Sequence, residues 1–323
     1  MNVILGRTEQ IKKSAGTYDS IFLAAHIFAT ATNTALVVDA FNPAYVKVKV
    51  FLQQKDGAII GQPLLNDSLL LLGTDASLMD FYRQFRLGVD KTLPAVGVKA
   101  IKMRYVEIPF SHTRVAAGQE LVFEVTVGSD SVYSAAVDTA LSCIQFEANP
   151  SMGYDTGDYT TEFIPIAAQQ PSAALSIGDN VVKIKILNFD KTDYSSPVIS
   201  GLALGSDRIQ ETLDFNKLLA RTIRLCGKTT PQMVGSAFPI AEGGTASVFG
   251  MNYLPQTHVL FDGTISGQKM DKVHLDITFN SANVSASQNY IAVTRYKTTL
   301  KRLVEAQDRQ KKHRAEEINK LGK

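Results

Sequence analysis

The sequence of 323 residues has no tryptophan and only two cysteines, Cys143 and Cys226. Two cysteines make no disulfide framework. Each lies in an apolar run, Leu141-Ser142-Cys143-Ile144 and Ile223-Arg224-Leu225-Cys226. Two buried free thiols are therefore expected, as in a chain that folds in a reducing compartment. Catalytic spacings are missing too. There is no phosphate-binding glycine loop, paired-cysteine zinc site, His-Glu-x-x-His or Gly-x-Ser-x-Gly. The five histidines (His26, His112, His258, His274, His313) stand apart, without metal-ligand spacing. No catalytic residue, metal, cofactor or small-molecule substrate is expected. The net charge of +2 gives no global affinity for polyanions.

Long apolar runs are also scarce. Ile21 to Phe41 comes nearest, and His26, Asn33 and Asp39 interrupt it. As a signal peptide it would take Lys12-Lys13 as basic region and Ala29-Thr30-Ala31 as cleavage site, but Glu9 and Asp19 lie upstream. The preferred reading of residues 1–33 is an N-terminal arm or short helix, capped by Asp19 or Ser20. Asp155-Thr156-Gly157 matches the triplet of aspartic proteases, whose chemistry needs a second carboxylate sharing one proton. The other half offers only Asp262-Gly263-Thr264, in the wrong order. Asp155-Thr156-Gly157 therefore reads as a turn.

What the chain does contain is short strands cut by turns. Val46-Lys47-Val48-Lys49-Val50 alternates, and Asp56-Gly57 follows as a tight turn. Leu121, Phe123, Val125 and Val127 share one face, as do Val273, Leu275, Ile277 and Phe279. That alternation marks half-solvated strands of antiparallel sheets. Phe163-Ile164-Pro165-Ile166 reads as an edge strand, because proline cannot donate to a ladder. Strands at this spacing argue for sandwiches rather than an α/β fold.

The events from Val46 to Gly88 recur from Val182 to Gly227: a strand, an apolar run ending in glycine, a polar step and a helix-like run. Four landmarks share offsets of 136, 132, 134 and 138 residues (182−46, 205−73, 214−80 and 224−86). The period fits one β-sandwich domain rather than a solenoid repeat. The organisation expected is an arm over 1–33, one unit over 34–150, a connection over 151–180, a second unit over 181–294 and a tail over 295–323. Long loops at Asp130–Thr139 and Gly227–Gly250 are expected to cap or clasp neighbours, with Phe238, Val248, Phe249 and Met251 buried only on assembly.

The tail changes character. From Arg295, glycine and proline vanish until Gly322, and helix formers dominate. Ten basic residues face four acidic ones, a balance of +6. A basic helix suits lipid headgroups or phosphate backbones, with Lys297, Lys301, Arg302, Arg309, Lys311, Lys312 and Arg314 as contacts. Aromatics for base stacking are absent after Tyr296. A solvated helix is the alternative, supported by the i,i+4 pairs Glu305–Arg309 and Asp308–Lys312.

Two tandem copies, Val46–Gly88 and Val182–Gly227, each within a run of strands, make residues 34–294 similar to the double jelly-roll major capsid proteins of tailless icosahedral viruses. That lineage includes adenovirus hexon and the membrane-containing phages. The resemblance implies an all-β fold of two tandem eight-stranded jelly-roll β-sandwiches, followed here by a C-terminal basic helix. It implies a homotrimer with a pseudo-hexagonal outline, a capsid lattice, minor capsid or vertex proteins as partners, and a terminal segment facing membrane or genome. The virion is the expected location, after folding in the host cytoplasm. A two-domain carbohydrate- or receptor-binding protein is the alternative, although such sites usually present exposed aromatics.

Overall fold

The computed structural model describes residues 1–32, 40–77, 99–129, 131–151, 159–167, 170–187, 199–225, 257–263, 268–280 and 289–296. Sixteen strands dominate them. The first eight are β1 (Asn2–Val3), β2 (Thr8–Lys13), β3 (Thr17–Thr32), β4 (Val46–Gln54), β5 (Ile59–Ser68), β6 (Lys99–Arg114), β7 (Gln119–Val127) and β8 (Cys143–Pro150). The second eight are β9 (Tyr159–Ile166), β10 (Ser172–Gly178), β11 (Val181–Leu187), β12 (Ile199–Gly205), β13 (Gln210–Asp214), β14 (Thr257–Asp262), β15 (Val273–Phe279) and β16 (Asn289–Tyr296). Two helices of the described chain follow the fifth strand of each set: α1 (Leu69–Ser77) and α2 (Phe215–Leu225).

The pairing is antiparallel throughout, and both sets use one plan. The first eight strands form sheets in the orders β1-β8-β3-β6 and β2-β7-β4-β5. The second eight form β14-β11-β16-β9 and β10-β15-β12-β13. Counted from one within each set, both read 1-8-3-6 and 2-7-4-5. That is the jelly roll, two four-stranded sheets interleaved by crossing connections. The chain is thus all-β, two jelly rolls in tandem.

Each roll closes over its own core. The first buries Ile21, Leu23, Ile108, Ile144 and Phe146 from one sheet against Val48, Val50, Leu121, Phe123 and Val125 from the other. Tyr18 and Phe110 meet Phe123 ring to ring at 5.8 and 5.9 Å. The second buries Ile184, Ile186, Ile291 and Val293 against Leu202, Leu204, Leu275 and Ile277. Burying each such side chain contributes about 1.5–3 kcal/mol. The expected faces hold: Val273, Leu275, Ile277 and Phe279 are buried and His274, Asp276 and Thr278 exposed. The edge position of β9 holds as well, since Pro165 lies opposite Tyr290 and, among the described residues, β9 pairs only with β16.

Three expectations change. The span 1–33 is no arm: β1, β2 and the whole of β3 lie there, three strands of the first roll. Residues 151–180 are no mere connection, because β9 and β10 begin the second roll there. The repeat landmarks also pair the wrong strands. Val46–Val50 lies in the fourth strand of its roll and Val182–Ile186 in the third, while Leu69–Gly73 opens a helix and Gly201–Gly205 closes a strand. The structural partners are β4 with β12 and β7 with β15, at offsets of 153 and 154 residues (199−46 and 273−119). Half-buried strands look alike, so alternation alone matched unlike partners.

Turns follow their residues. Gly57 and Gly118 adopt φ of +92° and +83° in the turns after β4 and β6, where a side chain is strained. Gly263 is needed for space instead. A Cβ there would stand 2.2 Å from the Gln268 carbonyl oxygen. Backbone must move to admit it, so Gly263→Ala is expected to cost about 2 kcal/mol, read as a lower urea midpoint at unchanged slope.

Candidate assembly surfaces

The two rolls meet through unlike surfaces. The second roll offers the outer face of its β14-β11-β16-β9 sheet. On it Leu187 and Ala292 are 0 and 1% exposed and belong to the core of the first roll, with Phe163 and Tyr290 packed beside them. The first roll offers α1 and β6. Ser111 of β6 donates from Oγ to the Tyr159 carbonyl at 2.5 Å, and the Tyr159 amide donates back to that hydroxyl at 2.9 Å.

A charge pair lies in this junction. Lys185 of β11 is 4% exposed. Its Nζ donates to Oδ1 of Asp75 in α1 at 2.6 Å and to the Asp75 carbonyl at 2.7 Å. Burial pushes the Lys185 ammonium below its ordinary value, and Asp75 pulls it back up. Lys183, on the same face, pairs with Asp262 at 2.6 Å. Burial raises the Asp67 carboxyl on β5, and both burial and Asp67 raise the Tyr290 phenol. The junction is thus largely withdrawn from water and specified by one ion pair.

Helix α2 occupies the same place on the second roll that α1 holds on the first. Phe215, Leu218 and Thr222, spaced three and four apart, are buried, while Asn216, Lys217, Ala220 and Arg224 are exposed. Asp214 caps the helix by accepting from the Lys217 amide at 2.8 Å. Thr222 ties it to β14 by accepting from the Val259 amide at 3.1 Å. Phe215 meets the His258 ring edge-on at 6.2 Å. His258 is 1% exposed, and its Nδ1 has no hydrogen-bond partner among the described residues. Burial depresses its pKa to about 4.

The matching outer sheet face of the first roll is β1-β8-β3-β6. Residues Ser20, Phe22, Ala24, His26 and Phe28 of β3 point outward, opposite to the buried Ile21, Leu23, Ala25 and Ile27. Phe22 and Phe28 are half-buried. Phe22 lies between Glu107 of β6 and Glu147 of β8 in the register, and both glutamates are exposed. Glu107 accepts from Ser20 Oγ at 2.6 Å and Asn149 Nδ2 at 3.0 Å.

Other sequence expectations resolve as follows. Lys297, Lys301, Arg302, Arg309, Lys311, Lys312 and Arg314 lie outside the described residues, as does the expected helix beyond Tyr296. So do Cys226, Asp155-Thr156-Gly157, Phe238, Val248, Phe249 and Met251. Arg295 does not start a helix: it lies in β16 and donates to the carbonyls of Asp179 and Ile177 at 2.8 and 2.6 Å. Cys143 is a free thiol, half-buried rather than fully buried. Of the expected loop at 130–139, the described part packs onto the first roll, with Val132 and Val137 buried and Tyr133 bridged to Phe41. Among the described residues no three His, Cys, Asp or Glu converge to hold a metal, and no helix is long and apolar enough to cross a membrane. Sequence reasoning missed Asp75 and Lys185. The sequence signal was a lysine flanked by Ile184 and Ile186, which solvent-facing alternation explains equally well.

Against family models and curated proteins the sequence finds no match. Among solved structures the chain is similar to the STIV MCP, at 13% identity over 93% of this chain and 94% of that one, with a TM-score of 0.45. It is also similar to a chain of the Sputnik virophage, at 10% identity over 89% and 82%, with a TM-score of 0.42. A third is the major capsid protein P2 from Bacteriophage PM2, at 12% identity over 93% and 99%, with a TM-score of 0.35. The jelly-roll assignment rests on the strand orders above.

Proposed function

We propose that this chain is a major capsid protein: a structural subunit, not an enzyme, that forms homotrimers of pseudo-hexagonal outline and, through them, an icosahedral shell. The observation that carries this is the junction. One roll buries the outer sheet face of the other, with an ion pair held away from water, in a contact between unlike surfaces that a second copy can repeat. Contacts of that kind build rings and lattices. A shell subunit needs such surfaces and no active site, which accords with the lineage the sequence resembles. In this reading the segment from Lys297 to Arg314 faces lipid or genome inside the virion, and minor capsid or vertex proteins fill positions the trimers leave open.

Mass photometry of the purified chain tests the first step. Three copies of 35.2 kDa give a particle of about 106 kDa. A soluble 35.2 kDa species alone, persisting up to the highest concentration reached, contradicts the proposal.

A further inference from the structure

Two polar atoms buried without a partner lie at the end of the first roll where β8 begins, beside the free thiol. Nε2 of His26 and the hydroxyl of Tyr133 are buried and make no hydrogen bond among the described residues. Cys143 is free and half-buried. Buried polar atoms in folded proteins are nearly always satisfied, so two of them around one thiol call for a ligand that all three share. We infer that His26, Tyr133 and Cys143 form a binding site for a thiophilic metal cation such as Zn2+, independently of the capsid reading.

The backbone brings the three together. His26 of β3 and Cys143 of β8 are direct partners in an antiparallel register. Such side chains share a face, with Cβ atoms about 4.5–5.5 Å apart, which lets an imidazole nitrogen and a thiolate reach one ion. Tyr133 comes from the connection between β7 and β8, and that segment is fixed along two lines. Tyr133 bridges to Phe41, with the Asn42 amide donating to the Val132 carbonyl at 2.7 Å. Val137 bridges to Ala29, with the Asp138 amide donating to the Phe28 carbonyl at 2.8 Å. Burial raises the Tyr133 phenol and the charge of Cys143 raises it further, so hydroxyl and thiol stand within electrostatic reach. Burial also raises the Cys143 thiol.

A metal answers each of these features. The thiol gives its proton to solvent and binds as thiolate, and the neutral imidazole and the phenol oxygen take up their lone pairs on the same ion. The donor set selects the cation. Thiolate and imidazole suit Zn2+, whereas Ca2+ and Mg2+ take oxygen ligands. Among the described residues no three His, Cys, Asp or Glu converge, so the third protein ligand is the tyrosine and water completes a tetrahedron. The ion clamps the β7–β8 connection onto β3 and β8.

Zinc titration of the full-length protein, first stripped with a chelator, tests the site. Calorimetry with ZnCl2 should show one tight ion per chain. Cys143→Ser should weaken it by roughly a hundredfold or more, and His26→Gln or Tyr133→Phe by at least about tenfold. Co2+ in place of zinc should give thiolate-to-metal absorption in the wild type, a signature that needs no variant to fold, and none in Cys143→Ser. Zinc should raise the thermal midpoint of the wild type and leave that of Cys143→Ser unchanged. Absence of the cobalt band overturns the site. Equal zinc affinity in wild type and Cys143→Ser overturns it too, and places the zinc on exposed histidines such as His274. Neither result depends on whether trimers form.

Discussion

Asp75→Ala is expected to destabilise the chain by about 3 kcal/mol, the size found when one partner of a buried ion pair is removed. With a chain of this length that lowers the thermal midpoint by roughly 4–5 °C. The asymmetry of the pair explains the size. Lys185 is 4% exposed, whereas the Asp75 side chain keeps 22% of its surface in water. Removing the carboxylate strands a cation inside the junction, left with the Asp75 carbonyl alone. Lys185 then sheds its proton at lower pH, since burial already depresses it and Asp75 no longer opposes the shift. Lys185→Met is expected to be much milder, within about 1 kcal/mol of wild type, because an apolar side chain of similar length fits a dry junction and the Asp75 carboxylate can still reach water. Asp75→Ala combined with Lys185→Met should recover most of the loss. Equal losses for the two single variants would mean that the pair is not desolvated as described. Chemical unfolding of the three variants beside wild type decides the matter.

Acid is expected to loosen the second roll, and His258 sets the pH range. In the unfolded chain this imidazole takes a proton near its ordinary value of 6.5, whereas in the fold burial holds it neutral down to about 4. Between those values the unfolded state binds the extra proton. Stability is therefore constant above pH 6.5 and falls as the pH drops towards 4, by about 3 kcal/mol for a shift of this size. Asp67 works with the opposite sign, because burial raises its carboxyl and its protonation favours the fold. Comparison with His258→Leu isolates the histidine. That variant should match or exceed wild type at pH 7.5, having lost a ring nitrogen that lacks a partner, and should show little decline between pH 6.5 and 4. Parallel declines in the two proteins would place the acid sensitivity elsewhere. Hydrogen exchange should show the opening first in α2 and β14, which share the His258–Phe215 contact.

Much of the fold is written in local alternation, and that part was legible. Leu121, Phe123, Val125 and Val127 are fully buried on one face, and β15 alternates residue by residue. Proline at 165 marked an edge strand for a local reason. The existence of a duplication was legible too, but not its register. Val46–Val50 and Val182–Ile186 share alternation while occupying different places in their rolls. Residues 1–33 were misread for a deeper reason. Strand β3 carries Phe22, Ala24 and Phe28 on its outward face beside Ser20 and His26, so the period of two is blurred and the run resembles a helix or leader. The Lys185–Asp75 pair joins residues 110 positions apart, and no local pattern reveals that a strand lysine will be covered by a distant helix.

Cryo-electron microscopy of the full-length protein, purified at the concentration where mass photometry shows assembly, tests the central claim most directly. The account predicts three-chain particles with six jelly rolls in a pseudo-hexagonal ring. Monomers alone, or particles without three chains and a pseudo-hexagonal outline, would contradict it.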